Sequence, residues 1–200
     1  WDAIARFEYN SDDEFLKTFS FDKYEDREPP QSLVNVRRTG LHSVVSLLAR
    51  FRIADYVEEV ERLPQLRLEL LEQRIGNTGF FFSAGNETAY LNREPDDVYT
   101  MRNFTEGRLS YPIRLWKAME IVPFLEGDAT YYSDSVQQDI NKARLSWSTG
   151  VTAQTKMQSV FSSPFPMYTD LRHLVVPTVT YRFRPTPDER PQELLQFDEI

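Results

Sequence analysis

The stretch that decides the fold is residues 41–53, which read LHSVVSLLARFRI. Every odd position except one serine is apolar, whereas the even positions include both Arg50 and Arg52. Because successive side chains of an extended chain point to opposite sides, this alternation predicts a β-strand with one apolar and one polar face.

The same period of two recurs along most of the chain. It is clear at residues 1–9, 107–115, 119–131, 142–153 and 173–183, and weaker at 32–38, 66–74 and 79–93. Residues 56–71 also allow a helix, but Pro64 interrupts that stretch and leucines alternate after it, which favours a strand from there on. The pattern therefore predicts roughly nine or ten strands joined as antiparallel hairpins.

The length of these segments separates two architectures. Strands of soluble sandwiches usually have about 5 or 6 residues, whereas a strand that crosses a membrane needs about 9 to 11. Aromatic residues also lie near predicted strand ends, as at Tyr111, Trp116, Tyr131 and Tyr132, where interfacial girdles place them. We therefore expect an antiparallel up-and-down transmembrane β-barrel segment, an open curved sheet with two unpaired edges. A soluble β-sandwich stays open as the alternative, favoured by the mean hydropathy of −0.51.

Composition excludes several function classes. The 200 residues include 31 acidic against 23 basic side chains and no cysteine. The acidic balance argues against a nucleic-acid surface, and the lack of cysteine excludes disulfides and thiolate chemistry. His42 and His173 have no carboxylate partner at motif spacing, and no phosphate loop or nucleophile motif occurs. The sequence predicts neither an enzyme nor a cofactor or metal site.

Parity also predicts which way each side chain points. We expect an apolar outer set that faces lipid: Leu47, Phe51, Leu109, Ile113, Ile121, Leu125, Val151 and Val179. We expect a charged set that faces the lumen: Arg50, Arg108, Arg114, Glu120, Glu126, Asp128, Arg144 and Arg182.

Five stretches, in order along the chain, resemble the family of the LPS-assembly protein LptD, also called organic solvent tolerance protein. They are SDDEFLKTF at 11–19 followed by Tyr24, RLPQLRL at 62–68, TYYSD at 130–134, LRHLVVPTVTYRF at 171–183 and QFDE at 196–199. The fourth is similar to the family's "RH.IEP...Y.Y" strand, although Val176 stands where relatives often have Glu.

The resemblance implies a fold and a role. Residues 1–200 would be a single segment from the middle of the outer-membrane barrel, with the periplasmic domain and the barrel-closing strands elsewhere. The family inserts lipopolysaccharide into the outer leaflet of the outer membrane of diderm bacteria. Its partners are lipopolysaccharide, outer-membrane lipid, an LptE-type lipoprotein plug and a periplasmic Lpt bridge protein. Another outer-membrane barrel, such as a porin-like channel, is the alternative that fits the periodicity without the motifs.

Overall fold

The computed structural model describes residues 1–9, 18–19, 32–53, 60–93, 98–115, 119–134, 141–162 and 170–186. These residues form twelve strands. They are β1 Asp2–Arg6, β2 Ser32–Thr39, β3 Ser43–Phe51, β4 Val60–Arg74, β5 Phe81–Arg93, β6 Val98–Ser110, β7 Ile113–Leu115, β8 Met119–Tyr132, β9 Lys142–Thr155, β10 Met157–Ser162, β11 Asp170–Val175 and β12 Thr178–Phe183.

Ten of the described strands form one antiparallel sheet. Its order is β1-β2-β3-β4-β5-β6-β8-β9-β12, and β7 pairs with β8 beside the end of β6. Strands β10 and β11, which lie between β9 and β12 in sequence, form a separate two-stranded sheet. The strands follow one another across the sheet in sequence order, with β7 beside the path and the β10–β11 hairpin omitted from it. The fold is therefore an open up-and-down antiparallel sheet whose path ends at β1 and β12. The predicted fold class is confirmed.

The soluble sandwich is wrong for the described part of the chain. Close backbone approaches between its strands occur only between hydrogen-bonded neighbours, so no second sheet packs face to face on the first. Val60, Ala89 and Leu91 form a small buried cluster with Val98 against it. The long strands β4, β5, β6, β8 and β9 have 13 to 15 residues, which exceeds what a membrane-crossing strand requires. No helix in the described ranges is both long and apolar enough to cross a membrane.

Two predicted strands are interrupted by proline. The expected strand at 107–115 ends at Ser110, and β7 begins only after Pro112, with the Tyr111 N–H donating to the Pro123 carbonyl. The expected strand at 173–183 is likewise two strands, β11 and β12, divided at Val176 and Pro177. Proline has no N–H for a central ladder, so the alternation continues in sequence while the pairing changes.

Pro64, in contrast, lies inside a strand and does not end it. We expected a strand only after Pro64, but β4 already begins at Val60 and contains this proline. The pairing with β5 shifts between Arg62 and Gln65, so Pro64 lies in an irregularity of the ladder, where its missing N–H is tolerated.

Some sequence predictions concern residues outside the described ranges. These are most of the motif at 11–19, Tyr24, Trp116 and the motif at 196–199.

Candidate functional site

Register divides the side chains of the main sheet between two faces. Residues directly opposite each other on antiparallel strands point to the same side. Arg108 lies opposite Glu126, Arg114 opposite Glu120, and Arg182 opposite Gly150, which itself lies opposite Phe124. Followed from strand to strand, the pairing puts one set on one side, here called the polar face: Arg50, Arg108, Arg114, Glu120, Glu126, Asp128, Arg144 and Arg182.

The other side, here called the apolar face, carries the second predicted set: Leu47, Phe51, Leu109, Ile113, Ile121, Leu125, Val151 and Val179. Five of the eight are exposed, and Phe51, Leu109 and Ile121 are half-buried. Val179 is 72% exposed and Leu125 is 50% exposed, whereas Phe124, next to Leu125 on the polar face, is only 4% exposed. Apolar groups so open to their surroundings require a partner other than this sheet.

The polar face encloses a depression of about 540 Å³. Its lining runs from Glu69 on β4, through Glu106 and Arg108 on β6 and Glu126 on β8, to Arg182 on β12. Because one depression is lined by strands from opposite parts of the sheet, the polar face is concave.

At the centre of this depression, Glu126 binds two arginines and a serine. Arg108 Nη1 donates to Glu126 Oε1 at 2.5 Å, and Arg182 Nη2 lies 3.3 Å from Oε2. The Ser148 hydroxyl donates to Oε2 at 3.0 Å. Arg108 and Ser148 are the direct cross-strand neighbours of Glu126 on either side, so register alone brings three strands together at this carboxylate.

Phe124 lies beneath the same two arginines. The Arg108 guanidinium is 4.5 Å and the Arg182 guanidinium 5.5 Å from the centroid of its ring. The negative face of an aromatic ring attracts cations, so Phe124 helps to hold both arginines over the depression. The ring extends across Gly150, its partner on β9, where a side chain would occupy the same space.

The next residue of β8 on the polar face, Asp128, forms a second ion pair. Arg184 Nη2 lies 3.2 Å from Asp128 Oδ1, and Asp128 is directly opposite Glu106. No ion-pair partner of Glu106 occurs among the described residues. Five carboxylates line the depression against three guanidiniums, which leaves an excess of two negative charges: Glu69, Glu72, Glu106, Glu126 and Asp128 against Arg108, Arg182 and Arg184.

The remaining predicted residues lie on the polar face but away from this centre. Glu120 accepts from Gln154 Nε2 at 2.6 Å and faces Arg114 at the β7 end of the sheet. Arg144 is opposite Thr130, and Arg50 is opposite Arg62 near the other end. The structure therefore brings together four of the eight, namely Arg108, Glu126, Asp128 and Arg182.

Sequence reasoning missed three members of the central group. Arg184 has the parity of Arg182 but follows the predicted strand, and Ser148 is an uncharged residue on the polar side of the 142–153 alternation. Phe124 is an aromatic residue on the side of β8 that otherwise carries Glu120, Glu126 and Asp128. This is the one signal in the sequence that could have indicated it.

The described residues show no arrangement suited to a metal ion. His42 and His173 are both exposed, and no three histidine, aspartate or glutamate side chains converge in that part of the chain.

Long antiparallel strands in hairpin order, with a concave charged face and an exposed apolar face, define a segment of a β-barrel. The family model described as LptD, LPS transport system D, matches residues 1–198. The chain therefore belongs to the LptD family, a family of lipopolysaccharide transport and assembly, and the resemblance of its motifs is confirmed. No curated protein matches the chain.

Proposed function

We propose that this chain is part of the translocon that inserts lipopolysaccharide into the outer leaflet of the outer membrane. Family membership supports a role in lipopolysaccharide transport. The observation that carries the finer proposal is the division of the sheet into a concave face with all eight predicted charged residues and an exposed face with all eight predicted apolar ones. In a barrel, the first face lines the lumen and the second contacts lipid.

The chemistry of the polar face suits a saccharide in transit. Its central arginines are already paired with Glu126 and Asp128, and the pairs stay partly exposed, with 24% of the Glu126 side chain and 49% of that of Arg182 accessible. Paired charges offer hydrogen bonds to sugar hydroxyl groups. The negative excess around Glu106 disfavours tight binding of an anionic saccharide. Such a wall lets a hydrated, anionic chain pass.

The proposal extends to partners and place. The polar face would also contact an LptE-type lipoprotein plug in the lumen, and a periplasmic Lpt bridge protein would deliver the lipopolysaccharide. The chain would lie in the outer membrane of a diderm bacterium, as one barrel segment of a longer protein. Nothing in this role is catalytic.

The test uses the full-length protein in cells depleted of the native copy. Arg108→Glu removes a cation from the depression and adds a sixth carboxylate directly opposite Glu126, so we expect folded barrels, reduced lipopolysaccharide at the cell surface and sensitivity to hydrophobic antibiotics. Arg172→Glu is the matched control, because Arg172 lies in the separate β10–β11 sheet and bonds Gln158 there. Heat-modifiable gel mobility reports folding.

Two outcomes would contradict the proposal. Depleted cells that keep a normal barrier and normal surface lipopolysaccharide would remove the translocon role and leave a different outer-membrane barrel, such as a porin-like channel. Equal defects from Arg108→Glu and Arg172→Glu would show that the central depression is not on the path.

A further inference from the structure

Two glycines face each other in the middle of the apolar face. Gly107 on β6 is directly opposite Gly127 on β8, and Ala84 on β5 is opposite Gly107. Three adjacent strands thus present almost no side chain at one level, which leaves a furrow of about 400 Å³ lined by Phe82, Leu109, Leu125 and Trp147 as well as the two glycines. Trp147, opposite Gly127 on β9 and in edge contact with Phe183, closes one end.

The backbone does not require either glycine. A Cβ at Gly107 would lie 3.8 Å from its nearest neighbour, Phe82 Cε2, and one at Gly127 would lie 3.9 Å from the Ser146 carbonyl oxygen. Neither glycine has a positive φ, and the pairing runs through both without a bulge. Glycine inside a strand costs stability and marks a bulge, a tight bend or the close approach of a ligand. Here the open space itself is the feature that the glycines preserve.

The two long borders of the furrow differ in chemistry. One is apolar, formed by Phe82, Leu109 and Leu125. On the other side, beyond Ala84 and Gly107 on the same face, side chains of β5 and β6 form a closed ring of four hydrogen bonds. Asn86 Nδ2 donates to Thr105 Oγ1 at 2.7 Å, which donates to Asn103 Oδ1 at 3.3 Å. Asn103 Nδ2 in turn donates to Thr88 Oγ1 at 2.7 Å, which donates to Asn86 Oδ1 at 3.4 Å. Each of the four side chains both donates and accepts within the ring, which lowers the cost of an environment without water.

We infer that the furrow seats one acyl chain of a membrane lipid, with the polar linkage of that lipid beside the asparagine–threonine ring. The inference rests on the proposed function, which turns the apolar face toward lipid. The furrow is continuous with that face. Arg108 and Glu126 also line it, but cross-strand register places both of their side chains on the polar face, so the side chains on the furrow's own face are those of Phe82, Leu109, Leu125 and Trp147.

The width of the furrow decides between a lipid chain and a helix. The side chains of Thr105 and Leu109, which flank Gly107, are each about 7 Å from it along the strand, and their own bulk narrows the gap further. An α-helix with its side chains is about 10–12 Å wide and does not enter. A single hydrocarbon chain does, and a volume of about 400 Å³ falls in the range of small-ligand sites, about 300–1,000 Å³.

The experiment reconstitutes the full-length protein into vesicles of phosphatidylethanolamine and phosphatidylglycerol that contain a trace of phosphatidylcholine with a diazirine on one acyl chain. After illumination, peptide mass spectrometry locates the label. We expect enrichment at Leu109, Leu125 and Trp147 over Leu47, which is on the same face outside the furrow. Gly107→Leu with Gly127→Leu fills the furrow. The labelling should then fall about tenfold, which is roughly the effect of losing the burial of two methylene groups of the acyl chain.

The matched control is Ala143→Leu, which adds the same side chain to the apolar face opposite Tyr131 and should leave the labelling unchanged. If the two leucines prevent folding, judged by heat-modifiable mobility, Gly107→Ala with Gly127→Ala replaces them, and a smaller loss in the same direction is expected. Uniform labelling of the apolar face, or labelling that filling does not reduce, would overturn the inference and leave the proposed function intact.

Two further outcomes are distinguishable. A furrow protected from label while Leu47 reacts would mean that a second copy or another membrane protein covers it, and would overturn the acyl-chain assignment. Labelling of the polar face in place of the apolar face would overturn the proposed function together with this inference.

Discussion

Phe124 on β8 extends across Gly150 on β9, and this contact depends on the absence of a side chain at residue 150. A Cβ there would lie 2.7 Å from Phe124 Cζ and would also collide with the Tyr181 carbonyl oxygen on β12. The aromatic ring fills the gap that glycine leaves and is itself covered by Arg108 and Arg182. The absence of a side chain at residue 150 therefore leaves the space in which Phe124 packs beneath the two arginines.

Gly150→Ala should destabilise the barrel by about 1–3 kcal/mol, the usual cost of overpacking, because Phe124 and the β12 backbone must both move. Urea unfolding of the full-length protein in detergent micelles measures this. Gly127→Ala is the control, since a Cβ there meets nothing closer than 3.9 Å. Equal stability of the two variants would show that the Phe124–Gly150 contact has no energetic consequence.

The Arg108–Glu126 pair should contribute more than a typical surface ion pair. Glu126 accepts three hydrogen bonds and its side chain is 24% exposed, so we expect a coupling of about 1 kcal/mol in a double-mutant cycle of Arg108→Gln and Glu126→Gln.

The comparison for that cycle is Arg67 with Glu69, a 2.6 Å pair whose arginine is 52% exposed. Its coupling should be smaller and should vanish first as salt is added. A coupling at Arg67–Glu69 equal to that at Arg108–Glu126 would mean that the lower exposure of the second pair adds nothing to its strength.

Ile121→Arg and Val122→Arg test the assignment of the two faces with adjacent residues of similar chemistry. Ile121 lies opposite Ala153 on the apolar face, and Val122 lies opposite Thr152 on the polar face. A cation that faces mid-bilayer on a barrel costs about 2–4 kcal/mol, whereas a lumen position stays hydrated, so only Ile121→Arg should impair folding severely. Heat-modifiable mobility and the amount of protein in outer membranes report the difference. Equal folding defects would refute the assignment.

The asparagine–threonine ring should behave as a unit. Thr88→Val leaves Asn103 Nδ2 without its acceptor and Asn86 Oδ1 without its donor, and we expect a loss of about 1 kcal/mol. Replacing all four members by apolar residues of similar shape should be nearly neutral in lipid, because no unpaired polar group remains. Unfolding in vesicles compares the variants. If the quadruple variant loses more than Thr88→Val, the ring faces water.

Several features of this fold could be predicted from residues alone. A period of two is a local property of the extended chain, so the alternation of residues 41–53 or 119–131 already assigns each side chain to one of two sides. Strand lengths then favour a barrel segment over a sandwich, and the motifs indicate the family. None of these steps requires knowledge of which strand pairs with which.

The rest depends on pairing, which only the tertiary structure decides. Alternation continues through Pro112 and Pro177, so the sequence could not show that the ladder breaks there and that β10 and β11 leave the main sheet. Glu126 and Arg182 are 56 residues apart, and Phe124 lies across Gly150 only because register sets them opposite. The sequence by itself determined where most strands lie and which side of each is polar or apolar, because both properties are local. Which charges meet, and where the furrow opens, follow from cross-strand register, because contacts between strands depend on residues far apart in the chain.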